Sequence, residues 1–228
     1  MSTMQPLRIM AELASSFAAF HPVALDAVLA AMLAARDQYP PPSVVTRVPP
    51  LTDLPLLVHP LGFAHASQAH CTVGSYETVR WTKKSPPVLE ASILTSAKVI
   101  PLAGRWKSYY MPLRLTLPAG MLLTWWAVGD LAEVARLLAG CFGVGAKRNC
   151  GHGWVATWTV ELWPEDWSIL RPADEYAGAL VPARNLPAEL APRGWSHWQT
   201  GWTSYPYWRA GAAPLVAVPP PAEAGSAR

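Results

Sequence analysis

The sequence predicts an α+β fold, an antiparallel sheet carrying two helices, and three observations carry that prediction. Residues 7–13 alternate, with Leu7, Ile9, Ala11 and Leu13 on one side and Arg8, Met10 and Glu12 on the other, the period of a half-buried strand. Asp130 followed three residues later by Glu133 is a capping-box pattern at the head of an apolar helical run. From Trp154 to Leu162 a second alternation gives a strand with a dense aromatic face: Trp154, Ala156, Trp158, Val160 and Leu162 against Val155, Thr157, Thr159 and Glu161.

The remaining elements fall between and after these. Pro22 stands where a first helical residue is favoured, and Leu25, Val28, Leu29, Met32 and Ala35 recur at helical spacing. Prolines 40–42 and 49–50 close that unit, and Leu54 to Val58 reads as a short buried strand. Residues 61–88 have the mixed character of an insertion or long hairpin with a basic tip. Leu89 to Ile100 is β-rich, Leu113, Leu115 and Leu117 alternate, and Pro118-Ala119-Gly120 predicts a hairpin turn into Met121–Val128. The second helix buries Leu131, Val134, Ala135 and Leu138, with Gly140 as its stop.

The coarse order, β-α-β, a β-rich middle, then α-β, suits a ferredoxin-like (RRM-like) split βαβ unit with a β-rich insertion between its halves. Domain boundaries follow: residues 1–167 form the ferredoxin-like domain, with the insertion at about 61–88. Residues 168–210 form an irregular Trp/Pro-rich extension packed on it, and 211–228 a Pro/Ala-rich tail expected to be disordered.

Composition narrows the function. Charged residues make up 14% of the 228-residue chain and hydrophobic ones 51%, a surface so poor in ions that part of it is expected to lie against partners. Net charge is only +3, so any electrostatic footprint for nucleic acid has to be local. Twelve tryptophans against four phenylalanines favour interfaces or stacking platforms as well as core. Cys71, Cys141 and Cys150 are odd in number and lack C-x-x-C spacing, which indicates neither a disulfide framework nor a zinc site. No apolar run reaches the roughly 20 residues that span a bilayer, and no signal core opens the chain, so a cytoplasmic protein without membrane contact is expected.

The stretch with the most chemical content runs from Phe142 to Trp154. It sets Gly143, Gly145, Gly151 and Gly153 around Lys147, Arg148 and Asn149, with His152 between the last two glycines. Glycine permits positive φ and close approach of peptide N–H groups to a phosphate, and the two cations supply counter-charge. A dinucleotide fingerprint would follow a strand and open a helix, and a Walker A loop would end in Gly-Lys-Ser/Thr. Here a helix precedes the loop and a strand follows it. An ordinary glycine-rich αβ connection is the plain alternative.

Two further runs interleave cations with flat rings, Arg80-Trp81-Thr82-Lys83-Lys84 and Arg105-Trp106-Lys107-Ser108-Tyr109-Tyr110. Single-stranded RNA asks for that mixture, with cations for phosphates and rings for unstacked bases. Solvated strand ends with Lys stems over Trp would read the same way. His21, between the first strand and helix, and His152 are the histidines placed for general-base work. His65 and His70 have no acidic residue near them in sequence to complete a metal set, and no G-x-S-x-G elbow is present. No catalytic residue, metal or cofactor is therefore assigned.

The glycine loop resembles the glycine-rich signature of the CRISPR-associated RAMP superfamily. The stretch from His21 to Ala30 looks like the opening helix of its backbone subunits, and with the Arg105–Tyr110 run the chain is most similar to the type IV subunit of the Cas-five family, often called Csf-three. The match covers about Leu7 to Leu162. The resemblance implies a non-catalytic subunit that binds the 5′ handle of CRISPR RNA, caps one end of the helical backbone of subunits and touches the large subunit. It also implies a place near the protospacer-adjacent motif of a target DNA duplex. Carried onto this chain, Lys147, Arg148, Asn149 and the flanking glycines would meet RNA backbone, His152 would be a handle contact, and the 61–88 insertion would be the thumb. Two other readings stand beside it. One is a metal-independent CRISPR-RNA-processing endoribonuclease of the same superfamily, using His21 or His152 beside Lys147 or Arg148; the other is a structural or small-molecule binding domain whose loop only permits packing.

Overall fold

The computed structural model describes residues 3–19, 22–37, 49–71, 75–83, 109–117, 121–173, 179–204, 207 and 212–220. In chain order the elements are β1 (Gln5–Leu13), β2 (Phe17–Ala18), α1 (Leu25–Arg36), β3 (Val58–His59), β4 (Phe63–Ala64), β5 (His70–Cys71), β6 (Tyr76–Lys83), β7 (Tyr109–Thr116), β8 (Leu122–Gly129), α2 (Leu131–Leu138), β9 (Val155–Leu162), β10 (Leu170–Pro172), β11 (Leu180–Pro182), β12 (Trp198–Thr200) and β13 (Leu215–Ala217). The class is α+β, and every strand pair is antiparallel.

The main sheet has the order β5-β8-β1-β9. Taken with α1 and α2, this is a β-α-β-β-α-β order with the first strand between the third and fourth, compatible with a ferredoxin-like fold. The alternation read in residues 7–13 sets the core. Leu7, Ile9, Ala11 and Leu13 join Leu123, Trp125 and Ala127 of β8 beneath Leu25, Leu29 and Leu33 of α1 and Val134 and Leu138 of α2. On the other face Arg8 lies between Trp126 and Glu161 in register. Asp130 caps α2 by accepting the Glu133 N–H at 3.1 Å. The reciprocal half of the capping box is absent, because the Glu133 carboxylate turns to Arg136 at 2.5 Å and the Asp130 N–H bonds to the Pro55 carbonyl.

Helix α1 begins later than expected. Pro22 is not its first residue, since the following Ala24 is extended and bridges to Gln68: the Ala69 N–H donates to the Val23 carbonyl and the Leu25 N–H to the Ser67 carbonyl. Residues 54–58 form no continuous strand. A 3-10 turn over Leu51–Asp53 leads to a single bridge between Leu56 and Gly129, which buries Leu54 and Leu56 against the end of β8.

A second sheet, β2-β7-β6, corrects two expectations. Residues 118–120 lie outside the described residues, but β7 and β8 do not form a hairpin pair, because β8 is flanked by β1 and β5 while β7 pairs with β6 and β2. The insertion expected at 61–88 also takes other bounds. Residues 58–71 belong to the main body, where β3 and β4 pair and β5 adds the edge strand of the main sheet. The excursion is the β6–β7 arm, and its far end, like the β-rich stretch 89–100, lies outside the described residues.

The C-terminal extension is more ordered than its composition suggests. The tail expected to be disordered from 211 contains β13, which pairs with β12, bridges to Leu186 and buries Val216 and Ala217; residues 221–228 lie outside the described residues. Its tie to the domain is ionic. Fully buried Arg184 donates to the carbonyls of Ala64, Ala66 and Thr203 and to the Tyr207 hydroxyl, and lies 3.6 Å from Asp26 of α1. Tyr207, half-buried as a residue, has its hydroxyl enclosed between the two and donates to Asp26 at 2.9 Å. Burial pushes the Asp26 carboxyl up, with Arg184 and Tyr207 pulling it partly back, and burial holds the Tyr207 phenol far above its usual value.

Arg184→Met strands Asp26 without a counter-charge and is expected to destabilise the protein by about 3–5 kcal/mol, a fall of roughly 10 °C in Tm by calorimetry. A phenol whose folded pKa is raised contributes its stability fully below its unfolded value of 10.0 and loses it as pH rises through the folded one. Urea midpoints of the wild type and Tyr207→Phe are therefore expected to differ at neutral pH and converge above pH 10, where the unfolded tyrosine ionises; a constant difference would refute the enclosure of this hydroxyl.

Candidate nucleic-acid interface

The glycine loop leaves α2 at Leu138 and enters β9 at Val155, as its flanking elements predicted. It is held against residues 14–18, the link between β1 and β2. The Ala14 N–H donates to the Trp154 carbonyl at 2.9 Å, the Trp154 N–H to Ser15 Oγ at 2.8 Å, the Gly153 N–H to the Ser16 carbonyl at 2.8 Å and the Ala146 N–H to the Ala18 carbonyl at 2.7 Å. Ala146 also packs with Ala18, Leu113 and Leu115, so the loop joins the main sheet to the β6–β7 arm.

The glycines divide by role, between packing of backbone on backbone and an open position. Gly145 has φ +82° and Gly153 φ +68°, and a Cβ on either would collide with backbone carbonyl oxygen, that of Ala18 or of Val144. Gly143 is tight against the Gly153 carbonyl. Gly145 and Gly153 are thus required by the loop's own fold, and Gly143 is closely packed within it. Gly151, φ +86°, is the one of the four with open space where a Cβ would stand. Lys147 is the one non-glycine with positive φ among the described residues, at φ 59°. That left-handed conformation costs a lysine about 1 kcal/mol or more, strain that native structures concentrate at functional sites.

Between them, the short 3-10 turn Arg148–Cys150 presents Arg148 and Asn149 to solvent, and Arg148 donates to the Gly143 carbonyl at 3.4 Å. His152 is half-buried with Nδ1 2.8 Å from Ser16 Oγ, which fixes the ring's orientation. Gly143, Gly145, Lys147, Arg148, Asn149 and His152 line one open depression of about 620 Å³, completed by Met32, Gly140, Cys141, Phe142 and Trp154. Among the described residues, no acidic side chain lines it. A second hollow of about 310 Å³, with Val23 and, from α1, Ala27, Val28 and Ala31 along it, shares Met32, Cys141, Gly143, Gly145 and Arg148 with the first.

The two basic-aromatic runs meet in the arm. Antiparallel register sets Lys83 opposite Tyr109, Thr82 opposite Tyr110, Trp81 opposite Met111 and Arg80 opposite Pro112. Runs separated in sequence thus become neighbours on paired strands, and exposed Arg80 shares this sheet with Arg114, whose guanidinium lies 3.7 Å from the Tyr76 ring centroid. Lys84, Arg105, Trp106, Lys107 and His21 lie outside the described residues. Val79 of the arm and Ala146 of the loop pack against the same cluster of Ala18, Leu113 and Leu115, which ties the arm to the loop.

Other chemistry is limited by geometry. The acid that sequence proximity could not supply to His65 comes from Asp166, whose carboxylate lies 3.0 Å from His65 Nδ1 and is held below its usual range by hydrogen bonds from His65 and Ser168 despite burial. Ser168 Oγ approaches the same Nδ1 at 3.4 Å, so serine and aspartate crowd one ring nitrogen, unlike a triad in which they take opposite nitrogens. Burial pushes the Cys71 and Cys141 thiols up, away from the reactive thiolate. Among the described residues no cluster of three or more His, Cys, Asp or Glu could hold a metal, and no helix is long and apolar enough to cross a membrane.

The sequence reading passed over Phe142 and Trp154 as site residues, although both flank the loop. The strand periodicity puts Trp154 on the same aromatic face as Trp158. A bulge between Glu12 and Leu13 shifts the register, so that Val155 packs inward and Trp154 turns out. A scan of protein-family models finds none that matches this chain, and a search of curated proteins finds no match either.

Gly153→Ala is expected to disrupt the loop and lower Tm by several degrees, whereas Gly151→Ala costs about 1 kcal/mol for its φ alone. Thermal unfolding of the two variants side by side tests the division, and equal losses would contradict it.

Proposed function

We propose that this chain is a non-catalytic, RNA-binding subunit of a type IV CRISPR effector ribonucleoprotein, a Cas-five-like member of the RAMP superfamily that holds the 5′ handle of the guide and caps the backbone of subunits. The observation that carries the proposal is the loop between α2 and β9. It presents Lys147, Arg148 and Asn149 around a depression that no acidic side chain lines among the described residues, and the β6–β7 arm shares a small apolar cluster with the loop. An RNA strand crossing the loop would place phosphates on those cations, and the arm is the element in the position of a thumb. The sheet order supports the superfamily reading at the level of topology. In this reading the protein is cytoplasmic, its partners are CRISPR RNA, the backbone subunits and the large subunit, and a target DNA duplex passes nearby.

One observation favours the endoribonuclease as a second reading. His152 is oriented by Ser16 at the edge of the depression beside Lys147 and Arg148, the arrangement of a base held by a second group next to cations that would stabilise a charged phosphorane. The packing-only alternative draws support from Gly145 and Gly153, which the loop needs for itself, but it leaves the cations Lys147 and Arg148 on the rim unexplained.

Purified protein is expected to bind repeat-derived RNA with an affinity that falls steeply with salt, and Lys147→Ala/Arg148→Ala is expected to lower that affinity at least ten-fold and flatten the salt slope by about two phosphates' worth. Undiminished binding by the double variant would remove the site. Metal-free cleavage of repeat RNA that disappears in His152→Ala would replace the capping subunit by the nuclease.

A further inference from the structure

We infer that Phe142 and Trp154 are base-stacking residues of the loop site, so that the depression takes unpaired bases of a single strand as well as its phosphates. The inference rests on the reading of the loop as an RNA site and adds to it the two residues that would read the strand's bases. Phe142 and Trp154 are 69% and 57% exposed, the most exposed Phe and Trp among the described residues. A tryptophan and a phenylalanine left in water on a surface this poor in ions call for a partner.

Both rings border the depression that Lys147, Arg148 and His152 also line. Rings beside cations match what an unpaired strand offers, flat apolar bases joined by phosphates. Among the described residues the rim carries cations and no carboxylate, a lining that favours a polyanion over a basic protein partner.

The backbone that carries both rings is held in place. The Val155 N–H donates to the Phe142 carbonyl at 3.0 Å, Trp154 bridges to Gly143, and its backbone is tied on both sides to Ala14 and Ser15. Backbone fixed before binding loses little further freedom when a base stacks on the rings it carries. A base-paired duplex hides its faces and would use the cations alone, so the pair favours single strands over duplex.

Fluorescence anisotropy with three probes tests this: a labelled oligouridylate, an abasic ribose-phosphate oligomer of equal length, and an RNA duplex. Phe142→Ala and Trp154→Ala are each expected to weaken oligouridylate binding by about ten-fold and leave the abasic oligomer and duplex unchanged, with Trp154→Tyr restoring most of the loss. Lys147→Ala/Arg148→Ala should weaken all three. If Trp154→Ala fails to fold by circular dichroism, Trp154→Leu, apolar but not flat, takes its place. Oligouridylate and abasic oligomer bound alike by the wild type, or alanine variants that bind oligouridylate like the wild type, would overturn the stacking role while the cationic site stands, and would leave the pair as a protein-docking surface. If the wild type bound none of the probes, the loop reading would fail and this one with it.

Discussion

The buried contact between Asp26 and Arg184, shared with Tyr207, is the constraint on which the rest of the architecture depends. It crosses three parts of the chain: the first turn of α1, the start of the C-terminal extension after β11, and a residue near the extension's end. Arg184 also satisfies the carbonyls of Ala64 and Ala66, backbone that runs beside β8. A guanidinium taken out of water needs all of these acceptors, so the segments that supply them are held in one arrangement. The Gln68–Asn185 hydrogen bond at 2.9 Å, continued to the Trp202 carbonyl, fastens the same seam with neutral groups. Charge is scarce in this protein, and where it is buried it fixes topology.

That seam positions the loop indirectly. The α1 residues anchored by Asp26 supply Ala27, Ala31 and Met32 to the two hollows beside the loop, and the opposite wall comes from residues 141–154 seated on the β1–β2 link. Hydrogen bonds that Ser15, Ser16 and Ala18 accept from the loop determine where Lys147 and Arg148 stand. The cations are therefore carried by a segment in which Gly145 and Gly153 serve its own fold and Gly151 faces open space.

Much of this was legible. The alternation in residues 7–13, the Asp130 cap and the glycine spacing are local signals with local causes, and the strand, the helix and the loop follow from them. The late start of α1 was not legible, because Pro22 is a good first helical residue until the strand-like contact with residues 67–69 claims the backbone of Val23 and Leu25. Nor was the partner of β7, since a Pro-Ala-Gly turn signals reversal without saying which edge is vacant; β1 and β5 had already taken both edges of β8. Trp154 leaves the face of Trp158 because a bulge in the β1–β9 pairing shifts the period by one residue, and a single extra residue inverts every side chain beyond it. The tail near Leu215 is too short to fold by itself, and its order comes from pairing with β12 and from the small core that Ala217 forms with Leu186 and Phe63.

What the sequence determined alone is whatever depends on neighbours a few residues apart: the periods of β1 and α2, the Asp130 cap, the positive-φ sites of the loop, and the clustering of Lys147 and Arg148. What tertiary structure decided is whatever depends on distant partners. It set the pairing of residues 80–83 with 109–112, the meeting of Asp166 with His65, the division of the glycines into three packed within the loop and one left open, and the exposure of Phe142 and Trp154 beside the cations. The physical reason is that backbone propensity acts through local sterics and hydrogen bonds, whereas burial and charge pairing are settled only when separate stretches of chain compete for the same edges, acceptors and core.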